Sequence, residues 1–381
     1  MAQRSANKKL AQLSGQVGQI LIMGFEGLAI DSRLRTVFAT LQPGGAILFA
    51  RNIEDPQQTW KLLRDTQAAT TVPMFLCVDL EGGTVDRLKN VIAPAPSLHD
   101  VFATGDPRLF RMHGTILGLE SRALGFNTDF APVLDLGFEA SRSVLGSRTA
   151  SGNPREVIAC AREFLKGMKA AHVLGCGKHF PGLGEANLDT HHELPAIEKP
   201  LRKMLAEDLL PYRQLRALLP FVMVAHAAYP QVTKDRVPAS LSKQWIGEIL
   251  RRKIGYRGLI VSDDLEMGGV LAAGSIEDVA IGTLRAGADM FLVCRNQELV
   301  WRAFEAVLRE AERDRKFRAQ VERAARRVLA FKKRSTALRG FAASPKEKAV
   351  THLKQIVKEF SQIVQESVAA AQAGMGAGQA R

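Results

Sequence analysis

The chain has 381 residues and no apolar run of the ~18 residues that a bilayer-spanning helix needs. Its opening stretch, MAQRSANKKLAQLSGQVGQ, carries basic residues but no apolar core with a cleavage site behind it, so no secretory signal is expected there. Cysteine is scarce: Cys77, Cys160, Cys176 and Cys294, with no CxxC pair. Three of the four fall inside apolar, strand-like runs, where a free thiol acts as a small hydrophobe. That pattern suits a reducing cytoplasm and excludes a disulfide framework. The first apolar run is followed by GFEGLAID, which lacks the GxGxxG spacing of a dinucleotide-binding sheet. His179, His191, His192 and His226 have acids nearby, but no HxH or HExxH spacing groups them. No metal, and no other cofactor, is therefore expected.

Composition excludes disorder, with 46% hydrophobic and 24% charged residues. The one marked excess is positive charge, +13 overall. Much of it lies between Arg302 and Arg339, interrupted at helical spacing by Phe304, Val307, Leu308, Val321, Ala325, Val328 and Leu329. The spacing predicts two helices with solvated basic faces. Without interleaved aromatics or a known reading module, no nucleic-acid partner is expected, and no membrane partner either.

What the chain does have is a series of short apolar, β-branched runs: 20–25, 45–50, 74–79, 127–136, 173–180, 221–226, 258–264 and 289–294. Amphipathic stretches of helical length, such as 107–124, 154–171 and 275–286, separate most of them. Strands alternating with helices imply crossovers and a parallel sheet, and continuous apolar runs suit strands buried on both faces. Eight such units predict an α/β fold of the (β/α)8 type, with an open doubly wound sheet as the alternative. The catalytic barrel is expected over 1–335. A C-terminal piece, 336–381, should hold an amphipathic helix with Leu353, Ile356, Phe360 and Ile363 on one face, then a disordered tail from 371.

Charged and polar residues gather at the C-terminal ends of six runs: Arg51 and Asn52, Asp79 and Glu81, Asp135, Lys178 and His179, His226, Asp263 and Asp264. In a barrel those ends converge on one mouth, where active sites sit. In the loop after the fifth run, Asp189 and His191 are two apart. A carboxylate beside an imidazole can fix its tautomer and make it a general acid/base; a plain surface turn gives the same spacing. After the seventh run, adjacent Asp263 and Asp264 point different ways, so one can react while the other caps the next helix. The third cluster, Asp79 to Arg87 around Gly82-Gly83, suits either sugar hydroxyls or a salt-bridged turn.

Together these motifs resemble glycoside hydrolase family 3, more narrowly its single-domain bacterial β-N-acetylhexosaminidases of peptidoglycan recycling. The resemblance spans about 14–335: VDLEGG, FAPVLD, KHFPG with a downstream D-x-H, AHAAYP, PASLS and SDDLEM occur in order. It implies Asp263 as nucleophile, His191 as general acid/base and Asp189 as its partner. It implies sugar binding by Asp79, Arg87, Arg148, Lys178 and His179. The chain departs from the family pattern at Leu183, where GHG is usual, at Thr149-Ala150-Ser151 after Arg148, and at Thr84, often an Arg.

The expected activity is therefore retaining hydrolysis of a terminal N-acetylglucosamine from muropeptides or a disaccharide, through a glycosyl-aspartate. The alternatives are another family 3 exo-glycosidase (a β-glucosidase or β-xylosidase), a glycoside phosphorylase, and a non-catalytic muropeptide-binding protein. A neutral imidazole repels anions less than a carboxylate does, which would let phosphate compete with water.

Overall fold

The computed structural model describes residues 2–186, 188, 190 and 193–378. Each of the eight apolar runs contains one parallel strand: β1 (Leu21–Met23), β2 (Gly45–Ile47), β3 (Phe75–Val78), β6 (Thr128–Asp129), β7 (Cys176–Phe180), β8 (Phe221–Val224), β9 (Leu259–Asp264) and β10 (Met290–Val293). A small antiparallel hairpin, β4 (Leu80–Gly82) and β5 (Val85–Asp86), interrupts the third unit. Spatial order is β6-β3-β2-β1-β10-β9-β8-β7. Parallel bridges Thr128↔Leu174 and Val133↔Lys178 join the two ends, and the Leu134 N–H donates to the Lys178 carbonyl at 2.7 Å. The sheet thus closes into the expected (β/α)8 barrel rather than the open alternative.

Helices form the outer ring: α1 (Ala2–Gln19), α2 (Ser32–Leu41), α3 (Pro56–Ala68), α4 (Leu98–Ala103), α5 (Pro107–Leu124), α6 (Pro154–Ala170), α7 (Leu201–Ala206), α8 (Leu209–Leu215), α9 (Pro230–Thr233), α10 (Gly268–Leu271), α11 (Ile276–Ala286), α12 (Gln297–Arg313), α13 (Arg315–Arg334) and α14 (Glu347–Gly378). Their starts follow local rules. Asp55 caps α3 with Pro56 behind it, and Ser275 with Asp278 forms a capping box on α11. One residue, Asp314, separates α12 from α13 and accepts from the Lys316 and Phe317 N–H groups. Phe317, Val321, Ala325 and Val328 of α13 face the barrel, which turns its arginines outward, as the spacing predicts.

The C-terminal helix differs from expectation in two ways. Its buried stripe is Leu353, Val357, Phe360 and Val364, while Ile363 is 41% exposed. The 4-3-4 spacing follows a 3.6-residue turn better than the 3-4-3 series does. The helix also runs to Gly378, well into the stretch read as a disordered tail. Alanine and glutamine at 369–373 are strong helix formers, so propensity extends the helix after the apolar signal stops. Phe360 stacks on His113 of α5 with centroids 5.9 Å apart, which seats this helix on the barrel.

Aromatics fill the barrel's lower end. Phe75 and Phe221 meet edge to face at 4.9 Å, and Phe331 from α13 closes over both, at 6.0 and 5.8 Å. Next to this plug Lys332 is 6% exposed and donates to Gln19 Oε1 at 2.9 Å. Burial pushes its amine down to about 7. An unfolded lysine titrates near ~10.4. Between those values the unfolded chain holds the extra proton, so stability rises with pH across that window. Lys332→Met should therefore raise the melting temperature by a few degrees near pH 6.5 and lose most of that gain near pH 9.5. Equal shifts at the two pH values in a thermal melt would show that this amine does not titrate there.

Candidate active site

Strand ends deliver the site. Asp79 follows β3, Glu81 lies on β4, Lys178 and His179 belong to β7, and Asp263 and Asp264 end β9. These residues, with Arg87 and Arg148, line one cavity of about 170 Å³ at the C-terminal mouth of the barrel. All six described residues predicted to form the site (Asp79, Arg87, Arg148, Lys178, His179 and Asp263) therefore meet in one place. Asp189 and His191 lie outside the described residues. Thr190, between them, lines the same cavity, and its carbonyl accepts from the Gly269 N–H at 3.1 Å.

Glu81 organises the charges. Its two oxygens accept from Arg148 Nε at 2.8 Å and Nη2 at 2.9 Å, and Lys178 Nζ stands 2.6 Å away. Lys178 also donates to Asp79 at 2.8 Å. Arg148 Nη2 lies 3.4 Å from His179 Nε2, and His179 Nδ1 lies 2.7 Å from Asp135. The result is a continuous chain of ionisable groups, Asp79–Lys178–Glu81–Arg148–His179–Asp135. Burial alone would neutralise the Glu81 carboxyl, but Lys178 and Arg148 hold it well below the usual carboxylate range. Burial likewise disfavours the charged Lys178 and Arg148, and the surrounding carboxylates reverse this and raise both. The turn that brings Glu81 inward needs Gly82 and Gly83, at φ +80° and +60°.

Asp263 and Asp264 divide their work. Burial raises the Asp263 carboxyl, but His179, His226, the Asp264 N–H and Lys178 together bring it below its ordinary value, so it stays ionised. Asp264 Oδ1 accepts from the Glu266 N–H at 3.1 Å and the Cys294 N–H at 3.2 Å. It ties a turn and the end of β10, and does not cap a helix; the N-cap of α10 is Met267, with no side-chain cap bond. Burial pushes Asp264 up to about 7. His226 sits beneath, 2.7 Å from Ser240 Oγ and 3.0 Å from the Asp264 carbonyl.

Arg87 differs from the other cations. Its Nε is buried without a hydrogen-bond partner among the described residues, and its guanidinium lies 5.8 Å from the Phe49 ring centroid. A buried, unpaired donor in a cavity is available to a hydroxyl-bearing ligand. The sequence sets Glu81 in the Asp79–Arg87 cluster, suited to sugar hydroxyls or a salt-bridged turn, and marks Asp135 only as a strand-end charge; the pairing of Glu81 with Arg148 and Lys178, and of Asp135 with His179, is not legible there. Their only signal was a carboxylate at a strand end, because both act through other side chains. Leu183, one of the departures, is 3% exposed; it lines the cavity and donates its N–H to Asp135 Oδ1 at 2.8 Å. Thr84 is exposed on the hairpin. Among the described residues, no group of three or more His, Cys, Asp or Glu is placed to hold a metal ion. No described helix is long and apolar enough to cross a membrane.

A closed barrel whose mouth holds a strand-end aspartate within a ring of fixed charges suits a glycoside hydrolase. The model of the glycosyl hydrolase family 3 N terminal domain matches residues 6–331, and the chain belongs to that family. It is 41% identical over 264 residues to a β-hexosaminidase of Bordetella avium, covering 67% of this chain and 75% of that one. Among solved structures it resembles a family 3 β-N-acetylglucosaminidase of Paenibacillus (TM-score 0.86, 33% identity, 92% of this chain and 68% of that one). It also resembles NagZ of Neisseria gonorrhoeae (TM-score 0.69, 29% identity, 82% of this chain and 97% of that one).

Removing one partner from a buried network leaves charge uncompensated, at about 3–5 kcal/mol. Glu81→Gln should destabilise the chain by about that much in denaturant unfolding. An unchanged midpoint would mean that Glu81 does not hold Lys178 and Arg148 together.

Proposed function

We propose that the chain is a retaining exo-β-N-acetylglucosaminidase that removes terminal non-reducing N-acetylglucosamine from peptidoglycan fragments. The observation that carries this reading is Asp263, near the end of β9, on the wall of a cavity of about 170 Å³ that Arg87, Arg148, Lys178 and His179 also line. That is smaller than the ~300 Å³ lower bound of drug-sized sites, so it suits one terminal sugar and not the interior of a chain. Names of the relatives supply the N-acetylhexosamine: β-hexosaminidase in Bordetella avium and β-N-acetylglucosaminidase in Paenibacillus.

In this mechanism Asp79, Arg87, Arg148, Lys178 and His179 bind the sugar hydroxyls. Asp263 attacks the anomeric carbon while protonated His191, oriented by Asp189, gives its proton to the leaving oxygen. The C–O bond to the leaving group breaks as the Asp263–carbon bond forms. Neutral His191 then takes a proton from water, which attacks the glycosyl-enzyme and frees Asp263. Thr190 on the cavity wall supports this role for its neighbours.

Three measurements bear on this reading. Asp263→Asn should abolish turnover of a chromogenic N-acetylglucosaminide, which the wild type should prefer to the matching glucoside; retention of more than about a tenth of the rate would overturn the nucleophile. Arg148→Ala and Lys178→Ala should weaken N-acetylglucosamine binding by ~1.5–3 kcal/mol in calorimetry. His191→Ala should lose ~10²–10⁴-fold on a disaccharide, whose alcohol needs protonation, and far less on a dinitrophenyl glycoside. Equal losses on those two leaving groups would make His191 a structural residue.

A further inference from the structure

Two sequence motifs, AHAAYP and PASLS, have no part in the charge chain described above. The fold brings both against the strand that ends in Asp263 and Asp264. His226 of the first motif lies just past β8, which runs beside β9 with Val224 opposite Ser262. Ser240 of the second lies in the turn Ala239–Leu241. That turn is pinned to the chain on either side of His226. The Ala239 N–H donates to the Ala227 carbonyl at 2.8 Å, and the Ser240 N–H to the Ala225 carbonyl at 3.2 Å. His226 and Ser240 are both fully buried.

The imidazole spans the gap between two strand ends. A carbonyl only accepts, so the Nε2 atom 3.0 Å from the Asp264 carbonyl carries a proton. Nδ1 lies 2.7 Å from Ser240 Oγ, and a hydroxyl can donate to a neutral ring or accept from a charged one. The bond to Asp264 therefore survives either protonation state. With both nitrogens engaged, the ring is built to hold a neighbour rather than to pass a proton.

We propose that His226, braced by Ser240, is a positioning residue for Asp263. It acts through Asp264, whose N–H donates to Asp263 Oδ1 at 2.9 Å and so holds one oxygen of the attacking carboxylate. Asp264 is tied on both flanks. The Cys294 N–H bonds its carboxyl from the end of β10, and His226 bonds its carbonyl from the end of β8. Its remaining contacts, with the Glu266 and Met267 N–H groups, stay within its own turn. Without His226 the turn is anchored to β10 alone, and the Asp263 oxygen moves with it. The proposal rests on the reading of Asp263 as nucleophile. Attack on an anomeric carbon needs the oxygen aligned and close, and a displacement of about 1 Å costs about 10²-fold in rate.

Three variants test this. His226→Leu fills the space without a donor, and His226→Gln can carry an N–H to the place of Nε2. His226→Leu should lower kcat/KM about 10²-fold, by the same factor for N,N′-diacetylchitobiose and for a dinitrophenyl N-acetylglucosaminide, because the nucleophile serves every leaving group. Its affinity for N-acetylglucosamine in calorimetry should stay within about two-fold of wild type, since the sugar-binding side chains are untouched. His226→Gln should recover activity to within about five-fold of wild type. A ring that only filled the core would rank the two the other way, because a buried amide lacking a partner costs more than an apolar side chain. Ser240→Ala should lose about ten-fold on both substrates, and it keeps the test open if His226→Leu does not fold. Leu and Gln falling alike, sugar affinity falling with the rate, or an unchanged rate in Ser240→Ala would overturn the positioning role. An active Asp263→Asn would overturn the nucleophile and this proposal with it; an inactive Asp263→Asn beside a fully active His226→Leu would overturn the positioning role alone.

Discussion

The mouth of this barrel depends on one buried carboxylate shared by two cations. Glu81 bonds Arg148 through both of its oxygens and Lys178 through one, with all three side chains largely out of water. Any one of these charges alone would be too costly to bury. Held together, they fix positions on β4, β7 and the loop at Arg148, which come from distant parts of the chain. Asp79 and His179 are then placed by their contacts with Lys178 and Arg148. His179 and Lys178 of this network, with His226 and the Asp264 N–H, lower the Asp263 carboxyl against the burial that would raise it.

The lower end of the barrel solves a different problem with different chemistry. There the strands begin, and aromatic rings rather than charges fill the space. Where a charge does occur it is either paired or pushed toward neutrality. Asp289 accepts from Arg251, from Arg327 at 2.6 Å and from the Ile260 N–H at 2.8 Å. The Lys332 amine donates to Gln19 and lies over the Phe75 ring, and burial lowers it. A buried aromatic base supports a polar mouth. The division follows the general one in barrels between the stabilising and the reactive face.

Much was legible in the chain itself. Eight apolar runs of strand length, spaced by amphipathic helices, determined the barrel, because burial on both faces leaves a parallel strand no other pattern. Charges at the ends of those runs mark the mouth, and the motifs around them single out Asp79, Arg87, Arg148, Lys178, His179 and Asp263, which converge on one cavity. The basic stretch from Arg302 follows its helical spacing for the arginines, which face outward, but not throughout: Lys332 is buried and Leu329 is exposed, because the neighbouring aromatic plug, not spacing, selects what goes in at the end of α13.

Tertiary structure decided what local spacing could not. Glu81 and Asp135 act through side chains 67 and 44 residues away, and no period in the sequence records such a pairing. The choice between Asp263 and Asp264 turned on which carboxylate the ends of β9 and β10 consume in backbone hydrogen bonds. In α14 the packed stripe was 357 and 364 rather than 356 and 363, because the groove beside α5, not apolarity alone, selects which residues go in. The line from Ser240 through His226 to Asp264 is likewise invisible in a linear reading: its steps cross 14 and 38 residues and close only where the ends of β8 and β9 stand side by side. Sequence determined which side chains were apolar enough to build the barrel and charged enough to react. Their three-dimensional neighbours decided what each charge could do, because a charge's energy depends on its distance to other charges and to water.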